Sequence, residues 1–113
     1  MAQQPTVTVR KADDVSVIEI EGDVTAFAEE PIEQAYREVS EETAKVLLSF
    51  RDGDHINSAG IAILIDLVSE SQRQDKTIRI VHPDAHFQKI FKMVGLTGYA
   101  GVFSSEEEGL EGF

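Results

Sequence analysis

Hydrophobic and polar positions alternate near the start of the chain, which predicts β-strands there. Residues 6–10 and 15–20 are short, rich in β-branched side chains and separated by a polar turn. Two such neighbours predict an antiparallel hairpin. In the second strand we expect Val15 and Val17, together with Ile20, to face one way.

Three later segments have apolar residues at three- and four-residue spacing, which predicts amphipathic helices. The first covers about 28–40 and starts near Glu29 or Glu30, because Pro31 is tolerated only in the first turn. The second follows Gly60, and the third ends at Gly95. The predicted inner faces are Ile32, Ala35, Tyr36 and Val39; Ile61, Leu64, Ile65 and Val68; and Phe87, Ile90, Phe91 and Val94.

Residues 46–50 form a nearly continuous apolar run, which predicts a central strand buried on both faces. Further strands are predicted at 77–81 and 99–103. The resulting order, β-β-α-β-α-β-α-β, is typical of an α/β fold. We expect a mixed sheet of four to five strands with about three helices, mainly on one face.

The whole chain, 1–113, is expected to form a single domain with its core at about 6–105. The segment 106–113 is acidic and contains two glycines. It therefore predicts at most a turn of helix and a frayed tail.

The composition narrows the classes of partner. The formal charge is −11, from 21 acidic and 10 basic residues, so we expect no binding to nucleic acid and a preference for basic protein surfaces. The alternative is that the acidity serves solubility alone or reflects an organism with a salty cytoplasm. The chain has no cysteine, which excludes disulfides and thiolate metal sites. It has neither an apolar run of membrane-spanning length nor the features of a signal peptide, so we expect a cytoplasmic protein without membrane insertion.

One stretch joins a buried strand to a polar turn and then to an apolar helix. The turn is Asn57-Ser58-Ala59-Gly60. A helix start offers unpaired backbone N–H groups and the positive end of the helix dipole, which favour a phosphate near Ser58. Ser58 or Asn57 also fits the simpler role of helix N-cap, and the two roles are compatible.

The sequence gives little indication of a catalytic or metal-binding site. His55, His82 and His86 are not at a convincing metal spacing, and no glycine is followed by the Gly-Lys of a phosphate-binding loop. We therefore expect no cofactor, no metal and no enzymatic activity.

Four segments in this order resemble the STAS domain, the fold of bacterial anti-sigma factor antagonists. They are Gly-Asp-Val-Thr at 22–25, Ile-Asn-Ser-Ala-Gly-Ile at 56–61, the helix ending in Gly-Leu at 87–96, and the segment 103–108. The resemblance covers about 7–105.

The resemblance implies a regulatory module that binds an anti-sigma factor, which is itself a serine kinase of the ATP-binding type. It implies that Ser58 is the phosphoacceptor and that phosphorylation blocks binding. The implied partner-binding residues are Asp23, Val24, Thr25, Asn57, Ser58, Ala59, Gly60 and Ile61.

The chain also departs from the family pattern at several of these positions. Asn57 and Thr25 replace aspartates, Ala59 replaces a serine or threonine, and Ser49 replaces an aspartate common on the central strand. The small Ala59 is similar to STAS subunits of lipid-transport ABC complexes. The alternative is therefore a STAS scaffold that is not phosphorylated, or a soluble accessory subunit of such a complex.

Overall fold

The computed structural model describes residues 5–51, 55–81, 85–93, 95 and 100–113. These residues contain a five-stranded mixed sheet, in which the strands follow their order in the chain. The first pair is antiparallel and the remaining pairs are parallel, which confirms the predicted α/β class. The strands are β1 (Thr6–Ala12), β2 (Val15–Glu21), β3 (Lys45–Phe50), β4 (Thr77–Val81) and β5 (Ala100–Phe103).

In the described residues, three α-helices connect the parallel strands and a fourth follows the last strand. A 3₁₀ turn (Ala26–Ala28) leads into α1 (Glu29–Ser40), and the other helices are α2 (Ser58–Arg73), α3 (Ala85–Met93) and α4 (Glu106–Leu110). The predicted start of α1 is confirmed. No helix in the described part of the chain is long and apolar enough to cross a membrane.

The main core lies between one face of the sheet and helices α1 to α3. Its fully buried side chains come from alternate strand positions and from the helical inner faces, since side chains on a strand alternate between the two faces. Phe87 and Phe91 stack with ring centroids 5.1 Å apart. The predicted inner faces are buried except Ile65 and Ile90, which are half-buried, and Val94, which is outside the described residues.

The opposite face of the sheet is covered by α4 and the residues around it. Val15, Val17, Leu47 and Val81 form a second, smaller core there. Ile20 instead lies in the main core, so the expectation that it faces the same way as Val15 is wrong; two positions of opposite parity cannot share a face of a regular strand.

The structure also differs from the expected frayed tail. Residues 106–110 are helical, and Gly109 is buried against the sheet. We call residues 104–113 the C-terminal clasp. Ser105 caps α4 by accepting a hydrogen bond from the Glu108 N–H at 3.2 Å.

Arg79 of β4 holds the clasp through its backbone. Its guanidinium donates to the carbonyl oxygens of Gly109 at 3.1 Å, Glu111 at 2.7 Å and Gly112 at 3.2 Å. These carbonyls lie in the last turn of a short helix or just after it and have few intrahelical partners, so a planar donor group satisfies several of them together.

Two aromatic rings flank the same guanidinium. It lies 5.1 Å from the centroid of Phe103 and 4.5 Å from that of Phe113, which are cation–π distances. Lys45 donates to the Phe113 carbonyl oxygen at 2.8 Å. Arg79, Lys45 and apolar contacts thus all hold the C-terminal clasp against the sheet.

Arg10 of β1 adds an ionic contact to the clasp. It donates to carboxylate oxygens of both Glu19 and Glu106. The hydrogen bond to Glu19, followed by the contacts with Glu106, raises the pKa of Arg10 above its ordinary value despite partial desolvation.

Candidate protein-binding site at the start of helix α2

Two segments far apart in the chain meet beside the start of α2. Val24 and Ile56 form an isolated parallel bridge. The Val24 N–H donates to the His55 carbonyl at 2.8 Å, and the Asn57 N–H donates to the Val24 carbonyl at 3.0 Å. The turn after β2 and the loop before α2 are therefore fixed to each other by backbone hydrogen bonds.

Side chains of the turn after β2 reinforce this contact. Asp23 accepts a hydrogen bond from the His55 N–H at 3.1 Å, across 32 positions in sequence. Thr25 caps the 3₁₀ turn by accepting from the Phe27 N–H at 3.2 Å. Both residues are thus engaged through side-chain oxygen atoms in shaping the turn itself.

Helix α2 is capped by Asn57, which decides between the two capping candidates. The Asn57 side-chain oxygen accepts from the Gly60 N–H at 2.9 Å, and the Asn57 carbonyl accepts the first helical bond from Ile61 at 2.8 Å. Ser58 is the first residue of the helix and is exposed. The capping function therefore does not occupy the Ser58 hydroxyl.

Gly60 is required by a close approach between the two segments. A Cβ atom at this position would lie 2.4 Å from the Val24 carbonyl oxygen, 2.9 Å from Val24 Cγ1 and 3.0 Å from Ile56 Cγ2. The first of these is a backbone atom in the bridge, so it cannot move aside as a side chain could. The absence of a side chain at Gly60 lets α2 start directly against the turn.

The eight residues implied by the resemblance divide by exposure. Asp23, Asn57 and Ser58 are exposed, while Thr25 and Ala59 are half-buried. The other three are buried, so in this structure they shape the surface rather than form it: Val24, Gly60 and Ile61.

The start of α2 is electrostatically favourable for an anion. Its first turn contains no acidic residue. The first backbone N–H groups of a helix lack intrahelical acceptors and lie at the positive end of the dipole. A phosphate on Ser58 would therefore be accommodated by the domain that carries it.

Phe27 is a feature of this surface that the sequence analysis missed. It is 55% exposed, on the 3₁₀ turn that follows Thr25. Among the phenylalanine and tyrosine residues that the structure describes, it is the only exposed one. The sequence did indicate that Phe27 lies outside the core, because Phe27 does not share the helical spacing of Ala28, Ile32 and Ala35.

A separate cleft lies between α1 and α2. It encloses about 560 Å³ and is lined mainly by polar and charged side chains. Tyr36 donates to the Gln74 side-chain oxygen at 3.0 Å there. Burial, with a smaller contribution from the Glu70 carboxylate, raises the pKa of Tyr36. Among the described residues, which exclude His82, no three metal-binding side chains cluster.

Solved structures with the same fold include several anti-sigma factor antagonists. One from Mycobacterium paratuberculosis has a TM-score of 0.71 and 17% identity, covering 94% of this chain and 91% of that one. A putative one from Thermotoga maritima has a TM-score of 0.74 and 11% identity, covering 93% and 92%. The Bacillus cell fate determinant SpoIIAA, in its phosphorylated form, has a TM-score of 0.68 and 16% identity, covering 91% and 95%. At these identities the similarity establishes the fold.

A relative found by sequence has a different description. The intermembrane phospholipid transport system binding protein MlaB of Haemophilus influenzae is 36% identical over 52 residues. The match covers 46% of this chain and 50% of MlaB, about half of each.

The family model of the STAS domain matches residues 6–109, which includes all five strands and the start of α2. The order of elements, the glycine-dependent contact at Gly60 and the match over nearly the full chain agree with one another. The chain belongs to the STAS-domain family.

Proposed function

We propose that this protein is an anti-sigma factor antagonist, a cytoplasmic binding module without catalytic activity of its own. Its partner in this proposal is an anti-sigma factor that is also an ATP-binding serine kinase. The observation that carries the proposal is the backbone bridge between Val24 and Ile56, which brings exposed Asp23 and exposed Ser58 into one fixed surface. We call the surface formed by Asp23, Thr25, Asn57, Ser58 and Ala59 the docking surface.

The docking surface suits protein recognition because it is ordered before binding. Its two turns are held by backbone hydrogen bonds and by the Asp23, Thr25 and Asn57 side chains. A surface that is already ordered loses less conformational entropy on association. Solved structures with the same fold include anti-sigma factor antagonists, which supports the proposed class of function.

Ser58 is the proposed phosphoacceptor and switch. Its hydroxyl is exposed in the first turn of α2, within the docking surface. Phosphorylation adds about −1.5 to −2 charges and a hydration shell, which raises the desolvation cost of docking at that point. The helix start meanwhile stabilises the phosphate in the free domain, so the modified state is not a strained one.

The proposal is tested by incubating the protein with its candidate kinase and ATP and locating phosphate by mass spectrometry. We expect one phosphate, on Ser58, and none in Ser58→Ala. Ser104→Ala is the matched control, because Ser104 is also exposed but belongs to the C-terminal clasp. Phosphate at another residue, or none with a kinase that binds, would overturn the switch.

A second candidate function is a subunit of a phospholipid-transport ABC complex. The sequence match to MlaB favours it, as does Ala59 beside the proposed phosphoacceptor. In that case the domain would bind its complex constitutively, without a phosphate switch. It would co-purify with transporter subunits, and Ser58→Ala and Ser58→Asp would both retain that binding.

A further inference from the structure

Phe27 is exposed, and hydrogen bonds and burial fix the backbone on both sides of it. Its backbone N–H is held by Thr25, and the next residue donates to the Thr25 carbonyl at 3.0 Å. Ala28 is fully buried, so the backbone that follows Phe27 is fixed in the main core. The ring therefore projects from a fixed turn, which limits the entropy lost when a partner encloses it.

Carboxylates surround one side of the ring. Glu29, Glu30 and Glu33 line a shallow depression with Phe27, and all three are exposed. None of the three is in an ion pair within the part of the chain that the structure describes. Glu29 and Glu30 also stabilise the start of α1, whereas Glu33 lies a turn further along the helix.

This aromatic and acidic patch is continuous with the docking surface. Thr25 belongs to both, since it caps the turn that carries Phe27. The Val24–Ile56 bridge then leads directly to Asn57 and Ser58. A partner that covers Ser58 and Asp23 has only to extend past Thr25 to reach Phe27.

We infer that Phe27 is the aromatic anchor of the docking surface and that it enters an apolar pocket of the kinase edged by arginine or lysine side chains. Buried aromatic anchors dominate the binding energy of many protein interfaces, with polar contacts around them. Opposite charges at such a rim speed association and select the partner. The inference rests on the proposed function and adds the chemistry of the partner's surface.

The three carboxylates beside Phe27, which we call the acidic rim, also disfavour other kinds of partner. A nucleic acid or an anionic membrane would be repelled by Glu29, Glu30 and Glu33. A second copy of this chain would bring the same carboxylates into opposition if the patch met itself across a two-fold axis. A basic protein surface matches both the ring and its rim.

The test measures binding of the full chain to its candidate kinase by biolayer interferometry. Phe27→Ala should weaken binding by about 10- to 100-fold, mainly through faster dissociation. The matched control is Val9→Ala, which truncates another exposed apolar side chain, on β1, and should change affinity less than about twofold. Circular dichroism should show both variants folded, because both side chains are exposed.

A pair of charge variants on α1 tests the rim. Glu30→Gln with Glu33→Gln should slow association several-fold and reduce its dependence on salt. Glu38→Gln with Glu41→Gln removes the same charge from the other end of the helix region and should have a smaller effect.

The outcomes separate this inference from the proposed function. If the wild type binds the kinase and Phe27→Ala binds equally well, the anchor is overturned while the proposed function stands. If the two charge pairs act alike, the basic rim is overturned. If the wild type binds none of the candidate kinases, the proposed function fails and the inference fails with it.

Discussion

The start of α2 and the C-terminal clasp both attach one segment to another, but they do so by different means. At the start of α2, backbone groups of Val24, His55 and Asn57 bond to each other, which leaves side chains such as Ser58 facing solvent. In the clasp, a side chain, that of Arg79, bonds to backbone carbonyls. The first arrangement presents a surface, whereas the second covers an apolar sheet face.

A buried glycine lies at each attachment, and its surroundings differ. A Cβ on Gly60 would meet the Val24 carbonyl oxygen at 2.4 Å. A Cβ on Gly109 would meet side-chain atoms, Val81 Cγ2 at 2.7 Å and Leu47 Cδ1 at 3.0 Å. A side-chain methyl group can shift more readily than a backbone carbonyl fixed in a bridge, although the Val81 methyl would also have to move. The comparison indicates that the docking surface tolerates less change than the clasp.

The largest expected effect in this comparison is that of Gly60→Ala. The methyl group must displace either the start of α2 or the Val24 bridge, which should cost about 2–4 kcal/mol of unfolding free energy. Urea denaturation measures the loss. An unchanged stability would contradict the close approach at Gly60.

Arg79→Met should have the next largest effect, about 2 kcal/mol, because it removes the hydrogen bonds to three carbonyls and the contacts with two rings. Hydrogen exchange should rise in residues 106–113 and stay unchanged at 55–61. Arg79→Lys should recover part of the loss, since lysine keeps the charge without the planar donor group. Equal protection of 106–113 in wild type and Arg79→Met would contradict the role of Arg79.

Asn57→Ala should cost about 1 kcal/mol, the usual value of an N-cap. Asn57→Asp retains the capping oxygen and adds charge at the positive end of the dipole, so it should stabilise the protein by about 0.3–1 kcal/mol. Thermal unfolding of the three proteins gives the order Asp, Asn, Ala. The order would be reversed or lost if Asn57 did not cap α2.

Gly109→Ala should have the smallest effect, less than about 1 kcal/mol, because gained helix propensity offsets part of the contact with Val81 and Leu47. Kinase binding should remain within about twofold of wild type, since the clasp is on the other face of the sheet. A loss as large as that of Gly60→Ala would show that the two glycines are not distinguished by what surrounds them.

The sequence predicted the elements on the main core well and the clasp poorly. Ile32 and Phe87 mark helical faces, and the apolar run of β3 marks a central strand, because both patterns are local. The clasp depends on contacts that join Arg79 to residues about 30 positions later, and a segment with four glutamates and two glycines resembles a solvated tail. No local pattern distinguishes a tail of this composition from one that is packed.

The docking surface shows a similar division. The polar turn at 57–60 predicted a helix start, which the structure confirms, but the helix begins at Ser58 and includes Gly60 instead of following it. Asn57 and Ser58 are neighbours and both are good capping residues. Their residue types therefore do not show which of them caps the helix. The exposure of Phe27 depends on where the 3₁₀ turn begins, and Thr25 caps that turn.

The central claim is that a phosphate on Ser58 prevents the docking surface from binding the kinase. The most direct measurement is isothermal titration calorimetry of the kinase with the unmodified protein and with the protein phosphorylated on Ser58. We predict that phosphorylation weakens binding by about 10- to 100-fold, through the added charge and its desolvation. Equal affinity for the two forms would contradict the account.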